Sequence, residues 1–168
     1  SVANLDIRLP GKSKPLVTIG AWSIAPGEKW VITGASGSGK STLLRALADL
    51  WRIGEGTITL PQDARITFLP QLPYLPHGTL LELMLQTQPP SEEARELCAD
   101  LLCQFRLPWL VAQLDIGGDW NQRLSPGEQQ RFALARAFVS PPDILILDEA
   151  TSGLDQGTAD AILSLIHI

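Results

Sequence analysis

The chain has 168 residues, 45% hydrophobic and 18% charged, with a net charge of −5. That length fits one domain with a substantial core. Its thirteen basic residues are scattered without a Lys/Arg run, which indicates neither a nucleic-acid nor an anionic membrane surface. No apolar run approaches the roughly 18 residues of a spanning helix and no signal peptide opens the chain, so a soluble, cytoplasm-facing piece is expected.

Residues 1–9 and 16–24 read as two strands joined by the turn Pro10-Gly11-Lys12, and Pro26-Gly27 makes a second turn. The stretch Trp30–Leu44, WVITGASGSGKSTLL, then has a strand at Val31-Ile32, a glycine-rich loop from Gly34 to Gly39, and a helical run from Leu43 to Leu50. It satisfies G-x-x-x-x-G-K-[ST] in the strand–loop–helix context that phosphate binding needs. Gly34, Gly37 and Gly39 let the backbone curl so that successive N–H groups turn inward onto phosphate oxygens. The helix start adds the positive end of its dipole. Lys40 then places a cation on the β- and γ-phosphates, and the Ser41 hydroxyl is a ligand for Mg²⁺.

Past this helix, Gly54 and Gly56 bracket a break, and residues 57–60 and 65–70 read as short strands, so the alternation of elements predicts an α/β core. Residues 79–88 and 91–106 turn helical, the second run with Ser91 as N-cap and Glu92-Glu93 in its first turn, and 108–114 is a further short helix. Strand signals are absent from about 79 to 140, which suggests a helical insertion between two strands. Cys98 and Cys103, five apart on one helix, face different sides and read as buried or free thiols, with neither CxxC nor His spacing for a metal. Ser125-Pro126-Gly127-Glu128 starts a helix that runs to about Val139, Ser125 capping, Pro126 at the first position and Glu128 closing a capping box. Ile144–Leu147 is a continuous apolar run, as in a strand buried on both faces, and it ends in Asp148-Glu149. A last helix begins near Asp155. Asp148 suits a group that orients Mg²⁺ through its water shell, and Glu149 the carboxylate that positions and polarises the attacking water.

LSPGEQQRFALARAFVSPPDILILDEATSGLD, residues 124–155, resembles the signature helix, second acidic motif and following loop of an ATP-binding cassette (ABC) ATPase. The family signature LSGGQ or LSGGE stands here as Leu124-Ser125-Pro126-Gly127-Glu128, Gln71 matches the Gln of the Q-loop, and Ser152-Gly153-Leu154-Asp155 matches the loop after the acidic pair. The resemblance spans nearly the whole chain with five motifs in order. It implies a P-loop NTPase (RecA-like) α/β fold with an antiparallel N-terminal β edge and an inserted helical subdomain: residues 1–71 and 141–162 as core, 72–140 as the insertion. It implies ATP and Mg²⁺ as cofactors. Gly34, Ala35, Ser36, Gly37, Ser38, Gly39, Lys40, Ser41, Thr42 and Asp155 would hold the nucleotide, completed by Ser125 and Gly127 of a second copy. The metal would lie on Ser41, Gln71 and Asp148, with Glu149, Gln71 and Lys40 catalytic. The implied partners are a second nucleotide-binding domain and a transmembrane domain, fused N-terminally, and the implied place is the cytoplasmic face of a membrane, the inner one if bacterial.

A finer similarity, carried by ALADLWRIGEGTITLP, FLPQLPYLPHGTLLELM and Asp119-Trp120, is to the exporter-type subgroup of peroxisomal fatty-acyl transporters and their bacterial relatives. Trp51, Tyr74 and Trp120 taken singly read as core or interface aromatics. Three features depart from the family. The position of the adenine-stacking aromatic aligns with Leu9, and Trp22 reads as core. Pro126 removes one backbone N–H from the signature. A switch His on a later strand has no match: His167 is only 18 residues after Glu149, and His77 reads as a solvated loop residue. Leu163–Ile168, LSLIHI, looks foreign and can be back-translated as CTG TCT CTT ATA CAC ATC, similar to a transposon-end sequencing adapter, so a fragment with a non-native end is expected. Two other classes share the motifs, a soluble ABC ATPase of translation or repair and a non-hydrolytic nucleotide-binding module.

Overall fold

The computed structural model describes residues 1–149. The loop at 152–155, the helix near Asp155, His167 and the terminal hexapeptide lie outside the described residues. The chain divides into two compact units, Ser1–Phe68 and the part from Leu69 onward.

In the first unit, β1 (Val2–Ile7) is the middle strand of a three-stranded antiparallel sheet, flanked by β2 (Val17–Trp22) and, after helix α1 (Lys40–Leu47), by β3 (Gly54–Ile58). Val2, Leu5 and Ile7 are all buried, although Val2 and Leu5 are three apart and would face opposite sides of a regular strand. The slip lies at Asn4, whose φ of 49° is left-handed, and the β1–β3 register shifts between Ala3 and Asp6. On β2 the inward set Val17, Ile19 and Trp22 slips at Gly20 in the same way, so Val2↔Trp22, Leu5↔Ile19 and Ile7↔Val17 stay paired. Leu43, Ala46 and Leu47 of α1, spaced i, i+3, i+4, pack onto this face with Trp51, whose Nε1 donates to Arg8 O at 3.1 Å.

Two expectations are corrected here. Gly54 and Gly56 do not break the chain; they lie inside β3, because a Cβ on them would come within 2.1 Å of Asp6 O and 2.3 Å of Asn4 O. No strand forms at Val31-Ile32 among the described residues: Ile32 packs on the core but Val31 is 84% exposed, and β-branched residues become a strand only against a neighbour.

Strand β4 (Ile66–Leu69) closes the first unit and enters the second. There β5 (Gly78–Thr79) leads into α2 (Leu80–Leu85), α3 (Glu92–Gln104), a 3₁₀ turn (Pro108–Gln113), β6 (Gly117–Gly118), α4 (Trp120–Arg123), α5 (Pro126–Val139) and β7 (Ile144–Leu147). The pairing of β5 with β6 is a small strand contact inside a stretch expected to be purely helical. Helix starts follow the sequence. Thr79–Glu82 and Ser125–Glu128 form reciprocal capping boxes, and Ser91 Oγ accepts from Ala94 N at 3.1 Å. The buried stripe Cys98, Leu101, Leu102 and Phe105 of α3 packs with α2 and with α5, which is apolar nearly all round. Cys103 is exposed. Trp120 is fully buried, its Nε1 donating to Gly78 O at 3.1 Å, and the Arg123 guanidinium lies 4.9 Å from its ring centre. Ile146 of β7 is buried and its neighbours are half-buried, less than the two-faced burial expected, and β4 pairs with it among the described residues.

Candidate functional site

In the first unit the glycine loop turns on Gly37 (φ 76°) and Gly39 (φ 94°), both left-handed, and Gly39 is the N-cap of α1. A Cβ on Gly39 would sit 2.5 Å from Val17 Cγ2, so this glycine is set by packing as well as by φ. Around Gly37 a Cβ meets nothing, and the outer curve of the loop is open. Lys40 Nζ reaches back across the turn and donates to Gly34 O at 2.9 Å and Ala35 O at 3.0 Å. Left-handed turns followed at once by a helix N-terminus aim backbone N–H groups at one place, and a cation beside them makes a receptor for a polyphosphate. Gly34, Ala35, Ser36, Gly37, Ser38, Gly39, Lys40, Ser41 and Thr42 are thus brought together by local folding alone.

In the second unit the structure joins residues far apart in the chain. Asp148 N donates to Leu69 O at 2.9 Å, and the Asp148 side chain is buried. Glu149 follows with a left-handed φ of 53°, an uncommon backbone for a side chain of this kind, and it is exposed. Gln71 Nε2 donates to Glu149 Oε2 at 3.0 Å, across 78 residues of sequence. A carboxylate next to an amide donor, held on a turn at a strand end, can orient a water and take its proton.

Ser125 sits at the head of α5. Its Oγ donates to Glu128 Oε2 at 2.7 Å, and its N–H donates to the same carboxylate at 2.9 Å. Partial burial pushes the Glu128 carboxyl up, but the hydrogen bonds from Ser125 and the nearby Arg131 charge outweigh it, leaving Glu128 below the usual glutamate range. Pro126 occupies the first helical position, where its missing N–H removes no intrahelical bond. Gly127 lies in the same first turn, and Asp155 is outside the described residues. Of the side residues, Trp22 is half-buried and meets Trp30 edge-on at 5.5 Å, Leu9 is 37% exposed, and His77 is an exposed loop residue.

The motifs do not point to the amides behind this cluster. Gln130 Nε2 donates to Gln71 O at 2.9 Å; Asn121 holds both Leu75 N, at 3.1 Å, and Leu75 O; Gln129 Nε2 donates to Asn121 O and Leu124 O at 2.9 Å. One signal was available. Gln130 begins the i, i+3, i+4, i+7 stripe completed by Ala133, Leu134 and Ala137, and a polar residue on an apolar stripe needs a buried partner.

The family model for ABC transporters matches residues 19–152. The chain belongs to the ABC transporter family. This cassette is 44% identical, over 92% of its length, to an uncharacterised ABC transporter ATP-binding protein of Synechocystis, covering 24% of that protein. It is 38% identical over 90% of its length to the human lysosomal cobalamin transporter ABCD4, covering 27% of it. With the Escherichia coli inner membrane ABC transporter ATP-binding protein YddA it shares 33% identity over 99% of the cassette and 29% of that relative. Among solved structures, a bacterial Atm1-family ABC exporter with ATP bound superposes with a TM-score of 0.83 at 26% identity, over 98% of this chain and 31% of that one. The cassette thus spans about a quarter of the length of the curated relatives it matches, and it has the P-loop NTPase fold of ABC ATPase domains. No helix among the described residues is long and apolar enough to cross a membrane.

Proposed function

We propose that this cassette binds and hydrolyses Mg·ATP to drive an ABC transporter. One observation carries the reading furthest: Gln71 and Glu149, 78 residues apart and each assigned by its own motif, meet in a 3.0 Å hydrogen bond. In this reading the backbone of Gly34–Thr42 and the Lys40 ammonium bind the phosphates of ATP. Ser41, Asp148 and Gln71 would hold Mg²⁺, which would supply positive charge to the phosphates. Glu149 aligns a water with the γ-phosphorus and accepts its proton as the P–O bond to ADP breaks.

Residues 72–140 act as a helical subdomain inserted in an α/β core, and the β1–β2 hairpin makes an antiparallel edge to that core. Ser125 and Gly127, as the resemblance at the signature implies, serve the nucleotide of a second copy in a two-fold pair, and Asp155 adds to the nucleotide site. ATP closes that pair and hydrolysis releases it, which moves a membrane domain fused N-terminally and places the cassette on the cytoplasmic face of a membrane, as the name of the inner-membrane relative suggests.

The test is Glu149→Gln in the full-length protein. Hydrolysis is expected to fall by at least about a hundredfold while ATP affinity stays within about twofold. Turnover equal to the wild type overturns the assignment.

A further inference from the structure

The segment Gln71–Leu75 carries the Gln71 amide; Pro73 and Leu75 are buried, but Gln71, Leu72 and Tyr74 are exposed, so its first two residues have no buried side chain of their own to anchor them. Its backbone is held from outside. Leu75 is tied by Asn121 at one end. At the other end the Gln71 carbonyl accepts from Gln130 Nε2 at 2.9 Å, and Gln130 is only 3% exposed. Two residues before Gln71, Leu69 O accepts from Asp148 N. The Gln71 peptide is therefore fixed between the end of β7 and the side of α5. Fixing that peptide sets the direction in which the Gln71 side chain leaves the backbone, and the side chain ends on Glu149 Oε2.

We infer that Gln130 is a positioning residue for ATP hydrolysis: by tying the Gln71 carbonyl to α5, it keeps the Gln71 amide on the Glu149 carboxylate. This rests on the reading of Glu149 as the water-aligning base. Gln130 is buried and acts through Gln71. Met at this position has the same length and no donor, so it removes the tie with little change in volume. Glu has the same shape; ionised it cannot donate to a carbonyl, and protonated it can.

The experiment uses the full-length protein with Mg·ATP, measuring kcat, KM, nucleotide affinity and thermal stability. Gln130→Met is expected to lower kcat roughly ten- to a hundredfold, the scale of a misplaced reacting group, with KM and affinity within about twofold. In a Gln71→Ala background, where there is no amide left to position, the same change is expected to lower kcat by less than about twofold. For Gln130→Glu, kcat relative to the wild type is expected to rise as the pH is lowered and the carboxyl regains a proton to donate.

An equal loss in both backgrounds marks general damage and overturns the inference, as does wild-type kcat in Gln130→Met. Should Gln130→Met fail to fold, a flat pH profile of the Gln130→Glu ratio overturns it instead. Glu149→Gln run alongside separates the two levels. If it is inactive while Gln130→Met is fully active, only the role of Gln130 falls. If Glu149→Gln turns over normally, the hydrolytic reading falls and this inference with it.

Discussion

The loop from Gly34 to Lys40 and the segment from Gln71 to Leu75 are both irregular backbone that presents polar groups, and they are held in opposite ways. The first is shaped by what its residues lack. Gly37 and Gly39 adopt left-handed angles closed to most side chains, and Gly39 fits against Val17 only because it has no Cβ. The second is shaped by what other residues bring: amides from Asn121, Gln129 and Gln130, dozens of positions away, donate to its carbonyls or brace the residue that does. A site made by omission is local and reads as a motif. A site made by donation is non-local, and its supports are scattered among ordinary glutamines.

The contrast predicts which change breaks each region. Adding a methyl should break the first. Gly39→Ala forces an alanine to φ 94° against Val17, a strain of about 1–3 kcal/mol, and nucleotide affinity is expected to weaken roughly five- to a hundredfold in titrations with a fluorescent ATP analogue. Unchanged affinity would mean that the loop does not need its observed shape. Removing an amide should break the second. Asn121→Ala strips both the donor and the acceptor from Leu75, which is fully buried, and is expected to cost about 2–4 kcal/mol in chemical denaturation. A loss under about 0.5 kcal/mol would show that water or a neighbouring group replaces the clamp.

The smallest effect concerns the capping boxes of the second unit. Glu82 accepts from Thr79 N, which holds its carboxyl below the ordinary value of 4.5, and Glu128 is held low by Ser125 despite partial burial. A carboxyl whose pKa is lowered by folding stabilises the protein fully above its unfolded value. Its contribution is lost as the pH falls through the lower folded value. Melting temperature is therefore expected to drop as the pH goes below about 4.5, and Glu82→Gln with Glu128→Gln is expected to flatten that slope in part. A double variant with the wild-type slope would remove the caps as its source.

Most of what is local was legible in the sequence: the caps at Ser91 and Ser125, the helix after Lys40, the strand Ile144–Leu147, and the Lys40 loop. What the sequence does not show depends on neighbours. Gly54 and Gly56 read as a break, and the reason for them lies on β1, across the sheet. Val31-Ile32 has the propensity of a strand, which needs a neighbour to be realised. The two-residue pairing of Gly78-Thr79 with Gly117-Gly118 has no periodicity to detect. Gln71 and Glu149 were named by separate motifs, but that one donates to the other follows from the fold.

The slip at Asn4 gives β1 one residue more than β3 needs, and Gly20 matches it on β2. In the language of coding, the two strands carry a frameshift and its suppressor. Deleting Gly20 alone throws Val17 and Ile19 out of phase with Ile7 and Leu5. Deleting Asn4 and Gly20 together restores strict alternation on both strands with every inward residue kept. The irregularity is a matched pair of residues, and an alignment that gaps one strand without the other puts the inward residues of these two strands out of phase.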